Sequence, residues 1–291
     1  MADLRPMEFG EILDGSLQLF RRHFGLFLKL SLAVMWLPLA FSLYFRSRFL
    51  GFGTMNPQET AAVLQSEIVP LALLGLVWAV LYGAGMLMLT AGSIRVISDS
   101  YLGREPEFGE SMRFGISKIV PLFLVALGKG LLLVLLYILC AGVILLTAAA
   151  GGMAFLLVFI EVIAAIWLVI YVASGYGVTT PIVVLESLNS NLDAFGRSWA
   201  LTKGMRGRLF GLVFVAYLLA SLLPSLVLSA VGALVGELAP VAVFAWTVLA
   251  AALPVVLTPI VPCVLTLAYY DLRVRHEGFD LQLLSEQLGS V

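Results

Sequence analysis

The stretch Leu131–Phe159 reads LLLVLLYILCAGVILLTAAAGGMAFLLVF and contains no charged residue. A helix needs about 20 predominantly apolar residues to cross a hydrocarbon core of about 30 Å. This run is longer than that, and Ala150-Gly151-Gly152 interrupts it with two glycines that tolerate a reversal of the backbone. It reads as a tight hairpin of two membrane spans.

Outward from this hairpin the same pattern recurs. Apolar segments at Gly25–Tyr44, Pro70–Ile94, Ile119–Ala149, Met153–Pro181, Leu209–Val235 and Val241–Tyr270 predict six transmembrane helices. Apolar residues make up 61% of the 291 positions and charged residues only 12%, against about 45–50% and about 25% in a soluble domain. The expected fold class is all-α: a polytopic integral membrane protein, with residues 1–270 forming one helical transmembrane domain and 271–291 a cytoplasmic tail. Acids at Asp3, Glu8, Glu11 and Asp14 precede the first long apolar run, which is wrong for a cleaved secretory signal. In the loop Phe45–Val69, Asn56-Pro57 with Glu59 reads as the start of a short surface helix.

The net charge of −1 conceals an uneven distribution. Six spans place Arg5, Arg21, Arg22, Arg95, Arg104, Arg113, Lys118, Arg197, Lys203, Arg206, Arg208, Arg273 and Arg275 on the side of both termini. Arg46 and Arg48 lie opposite, and Lys29 and Lys129 fall inside spans. Cytoplasmic loops are enriched in Lys and Arg, so both termini are expected in the cytoplasm, at a bacterial inner membrane. The charge balance carries no sign of a nucleic-acid partner. The expected partners are membrane lipids, with other membrane proteins or further copies of the chain beside them. Cys140 and Cys263 fall in predicted spans and read as packed thiols.

Segments preceding the odd-numbered spans align with one another. Phe9-Gly10, Phe108-Gly109 and Phe195-Gly196 each stand the same distance before a second phenylalanine, at Phe24, Phe123 and Phe210. FGES at 108–111 matches FGRS at 195–198, and an acid ends each even span, at Asp99, Glu186 and Asp271. A shared register in three copies predicts three repeats, over about 8–99, 107–186 and 194–271, each an amphipathic interfacial helix followed by two spans. In the first, Phe9, Ile12, Leu13, Leu17, Phe20 and Phe24 fall near one helical face, with Arg21 and Arg22 largely opposite. The third offers Phe195 and Trp199 with Arg197, Lys203, Arg206 and Arg208. Such helices either lie among lipid headgroups, contacting the membrane surface or a partner, or pack on the bundle.

The opening Arg5-Pro6-Met7-Glu8-Phe9-Gly10-Glu11-Ile12-Leu13-Asp14, with Leu19-Phe20-Arg21-Arg22-His23-Phe24, resembles a group of bacterial six-span membrane proteins similar to the membrane domain of some glycerophosphodiester phosphodiesterases. Thr180-Pro181-Ile182-Val183-Val184-Leu185-Glu186 and the closing Tyr269-Tyr270-Asp271-Leu272-Arg273 with Gly278-Phe279-Asp280 carry the same likeness. The resemblance implies a stand-alone six-span helical domain. It does not imply hydrolysis, because the fused phosphodiesterases use a separate soluble barrel that this chain has no room for.

Two ionisable residues lie deep in spans, Glu161 and Lys129. Such groups are costly in hydrocarbon and are functional candidates by default. Glu161 reads either as a proton- or cation-linked site or as a carboxyl bonded to a neighbouring helix. Lys129 reads first as a side chain extended toward inner headgroups. Pro254, Pro259 and Pro262 must kink or interrupt the last span, and broken helices recur at transporter sites. No metal-ligand cluster, nucleophile elbow or cofactor motif is visible, so neither an enzyme nor a cofactor is expected. The reading is a non-enzymatic membrane protein with a scaffolding, assembly or lipid-associated role at the cytoplasmic face. The alternative is a secondary transporter or channel using Glu161 and the triple-proline span.

Overall fold

The computed structural model describes residues 5–49, 57–152, 154–235 and 240–278. A short helix α1 (Phe9–Arg22) leads into α2 (Phe24–Phe49) and α3 (Pro57–Tyr101). A second short helix α4 (Phe108–Ser117) precedes α5 (Ile119–Ala150) and α6 (Ala154–Gly175), which resumes after a break as α7 (Thr179–Leu185). A third, α8 (Asp193–Leu201), precedes α9 (Arg206–Tyr217), a π-helical turn at Leu218–Leu222 and α10 (Leu223–Val235). Finally come α11 (Pro240–Leu257) and α12 (Ile260–Glu277). Every regular element among the described residues is helical.

Six helical stretches are long and apolar enough to cross a membrane: Phe24–Tyr44, Val69–Tyr101, Ile119–Ala149, Leu156–Leu185, Arg206–Val235 and Val241–Glu277. Their windows have mean hydropathies from 1.9 to 2.9. This is a multi-pass membrane protein, as the apolar runs predict. The differences lie in continuity. The expected surface helix is the first part of one unbroken α3, and its expected cap, Asn56, lies outside the described residues. The fourth span is broken at Tyr176–Val178, and α12 continues past Tyr270 to Glu277. Of the expected tail, 279–291 lie outside the described residues, while Asp271 and Leu272 are buried.

Local chemistry explains the ends. Glu8 caps α1, its backbone N–H donating to the Glu11 carboxylate at 2.6 Å in a reciprocal capping box. Gly151 and Gly152 turn the α5–α6 corner at φ 65° and 58°, which a side chain would resist. Pro259 stands at the N-cap of α12 and Pro262 in its first turn, where a missing N–H costs no helical bond.

The core sits at one end of the bundle, the near end, where Met7 lies against the last turns of α12. It is built from the near halves of α3, α7 and α12, with Leu89, Ile94, Ile97, Ile182, Leu267 and Tyr269 almost fully buried. Each short helix lies on one of these: α1 on α12, α4 on α3, α8 on α7. Toward the far end the α5–α6 hairpin turns Leu145, Leu146 and Phe159 outward at 69%, 76% and 71% exposure, a surface suited to lipid. Lipid tails remove the hydrophobic drive between helices, so close backbone contact through small residues takes over. A Cβ on Gly115 would stand 2.7 Å from the Met88 carbonyl oxygen, and one on Gly175 2.5 Å from the Trp199 ring.

Candidate functional site

Near-end polar groups form a lattice around the three acids that end the even spans. Asp99 meets Arg95 at 2.7 Å and Arg104 at 3.8 Å. Glu186 accepts from Arg197 Nε at 3.0 Å and from the Tyr269 hydroxyl at 2.8 Å. Asp271 accepts from the Met7 backbone N–H at 2.8 Å and from Arg275 Nε at 3.0 Å, with Arg208 at 3.4 Å. Arg197 also bonds Glu277, and both carboxylates hold its guanidinium above the usual arginine range, Glu277 most strongly. Arg208 and Arg275 both donate to the Met7 carbonyl. Arg197 and Arg208, expected at the membrane surface, thus pin helices to one another.

The other surface candidates divide. Phe20 is buried, stacked on Phe27 with ring centres 5.6 Å apart, so it serves the core. Arg21, Arg22 and Lys203 are exposed, and Phe24 and Trp199 are exposed at 42% and 36%. Arg206 is buried between the rings of Trp199 and Tyr171. Beside α1, Arg22, His23, Gln18, Ser100 and Arg104 line a groove of about 820 Å³. His23 Nε2 lies 2.8 Å from Ser100 Oγ, and burial, followed by the Arg22 charge, pushes the imidazole below its ordinary pKa.

Short helix α8 also closes the broken fourth span. The break after Gly175 frees carbonyls that a continuous helix would bond, and Ser198 and Thr202 hydroxyls donate to the Gly175 oxygen at 2.9 and 3.1 Å. Lys129 Nζ donates to the Tyr176 oxygen at 3.2 Å. Its side chain thus ends at the break, on a carbonyl oxygen that also accepts from the Thr179 hydroxyl at 2.6 Å.

Around Lys129 opens a cleft of about 510 Å³ on which several helix irregularities converge. Thr179 and Thr180 follow the fourth-span break, Ser221 belongs to the π turn, and Pro254, Thr258 and Pro262 flank the α11–α12 break. Tyr82, Thr90 and Tyr217 add further hydroxyls. Pro259 forms the break itself as the N-cap of α12. Glu161 is not in this lining. It accepts a hydrogen bond from Thr147 Oγ1 at 2.9 Å across the α5–α6 hairpin, with Oε2 buried and unpaired among the described residues. Nor do three or more His, Cys, Asp or Glu side chains among the described residues gather as a metal site.

No family model, curated protein or solved structure matches this chain. The site is therefore read from its own chemistry: a cross-linked near end rimmed by exposed cations and aromatic rings, and a hydroxyl-lined cleft holding one lysine. Sequence reading found Lys129 and the prolines by their placement in apolar runs. It missed the Tyr176–Val178 break, for which Gly175 and Gly177 were a local signal, and the π turn at Leu218–Leu222. It also missed the hydroxyl-to-carbonyl capping by Ser198 and Thr202, since their acceptor lies in another helix.

Proposed function

We propose that this chain is a non-enzymatic integral protein of the bacterial inner membrane, with both termini cytoplasmic, that associates with lipid headgroups and assembles or holds other membrane components at the cytoplasmic face. One observation carries the reading. At the near end Arg21, Arg22 and Lys203 stay exposed beside the outward rings of Phe24, Trp199 and Phe210, while Arg197, Arg208 and Arg275 are engaged with acids. Exposed cations beside aromatic rings suit the headgroup layer, where phosphates meet the acyl boundary. The likeness to the phosphodiesterase-associated membrane domain agrees with a protein that works in the membrane without hydrolysing anything.

Three-unit organisation belongs to the same proposal. Supporting it, Ser111 and Ser198, matched in the FGES and FGRS segments, are both buried, and each short helix rests on the near half of an even span. Since α1 rests on α12, the units close into a ring.

Identifying the lipids and proteins retained by the full-length chain after gentle extraction from native membranes tests the reading. Anionic lipid and a recurring membrane-protein partner are expected. Retention of neither would overturn it.

A second reading, a secondary transporter or channel, is favoured by the cleft beside Pro254, Pro259 and Pro262. Glu161 lies apart from that cleft, so Lys129 is its charged group. Proteoliposomes that move an anionic solute at a rate abolished by Lys129→Met would establish this reading over the first.

A further inference from the structure

Arg206 opens α9 and is only 8% exposed. Its guanidinium carbon stands 3.6 Å from the ring centre of Trp199 and 4.2 Å from that of Tyr171. Nε and Nη1 are buried with no hydrogen-bond partner among the described residues. Aromatic faces stabilise a cation, but they leave its N–H groups without lone pairs, and a buried charge without acceptors is expensive. Arg197, Arg208 and Arg275 each meet a carboxylate. Of these four, Arg206 is the one with no carboxylate beside it among the described residues, its Nε and Nη1 lacking any acceptor there.

Beside it lies a pocket of about 420 Å³ lined by Trp167, Tyr171, Ser174, Lys203, Arg206 and Phe210, with no acid among its described lining residues. The first turn of α9 opens on it through Arg206 and Gly207, and the N-cap, Met205, provides no side-chain acceptor. The leading N–H groups of that helix, with their partial positive charge, therefore point to an outside acceptor. The walls are graded in depth. Ser174 is near the end of α6, whereas Trp167 lies about 10 Å deeper by helical rise and is 63% exposed on the surface turned outward.

We infer that this pocket binds the phosphate of an anionic glycerophospholipid, held between Arg206, Lys203 and the start of α9, with an acyl chain descending along Trp167 and Phe210. The inference rests on the lipid-associated reading above and gives it a site. Free phosphate would use the same donors and leave the aromatic lower wall unused. A phosphocholine headgroup would bring a cation of its own against Lys203.

Native mass spectrometry of the full-length, delipidated protein offered equal phosphatidylglycerol and phosphatidylcholine tests it. Wild type is expected to retain phosphatidylglycerol preferentially, undisturbed by millimolar inorganic phosphate. Lys203→Ala, an exposed position that leaves the core intact, should bind it about tenfold more weakly, as expected for one lost charge-assisted contact. Arg206→Met should remove the preference and the accompanying rise in thermal stability. Unchanged retention by Lys203→Ala, or by a folded Arg206→Met, overturns the site while lipid association stands. Displacement by inorganic phosphate overturns the lipid assignment. Wild type that retains no anionic lipid removes the underlying reading as well.

Discussion

Arg197 joins three pieces of the chain at one point: its own helix α8, Glu186 at the end of the fourth span and Glu277 in the last turn of α12. Truncation to Arg197→Met would leave both carboxylates short of a partner, at a cost of about 1–3 kcal/mol after allowing for partial exposure. A lowered unfolding temperature in detergent, with helix content unchanged, checks this. Loss of the Glu186 carboxylate alone, by Glu186→Gln, should cost less, since Tyr269 and Arg197 can still bond the amide oxygen. His23 has the opposite character, being held neutral. Burial places its folded pKa below the unfolded value of about 6.5, so the unfolded chain takes up the proton first as pH falls. Its contribution is therefore complete above about 6.5 and is lost as pH drops through that value toward the folded pKa. Wild type should lose more thermal stability than His23→Gln between about pH 7 and 5, and identical slopes would show that His23 does not titrate as described.

Among the elements, the short helices behave as clamps, and their small residues set the distance of approach. Gly115→Ala would press a methyl against the Met88 carbonyl, which is backbone and cannot rotate away. Overpacking of this kind costs about 1–3 kcal/mol, and it should appear as a lower unfolding temperature and easier proteolysis around Glu105 to Ser117. Removing both hydroxyls that cap the broken fourth span, by Ser198→Ala with Thr202→Val, leaves the Gly175 oxygen without those donors and should cost about 1–3 kcal/mol. Sequence periodicity located these helices because amphipathic faces repeat within a few residues. It read Phe9, Ile12, Leu13, Leu17, Phe20 and Phe24 as one face. The structure splits that face, Ile12 and Phe20 going to the core and Phe9 and Phe24 remaining 38% and 42% exposed. Periodicity shows which side is apolar, but both a neighbouring helix and a lipid layer satisfy an apolar side.

At the scale of the whole molecule, ion pairs and hydrogen bonds cross-link the near end. The first described residues are bound to the last span through Met7 and Asp271, and Tyr101 stacks on Tyr270 between the second and sixth spans, ring centres 5.2 Å apart. Reporter fusions at both termini should give the same compartment, the cytoplasm, and a fusion in the loop between α2 and α3 the opposite one. Opposite reports from the termini would contradict an even number of spans. Hydropathy alone determined that this chain carries six segments long and apolar enough to cross lipid, because transfer of a segment into hydrocarbon is a nearly additive property of its own residues. The tertiary structure alone decided the division of labour among the charges. Arg197 with Glu277, Asp271 with Met7, and Arg206 with Tyr171 and Trp199 are brought together by folding. Pairing energy depends on distance in space, and no local pattern in the chain encodes it.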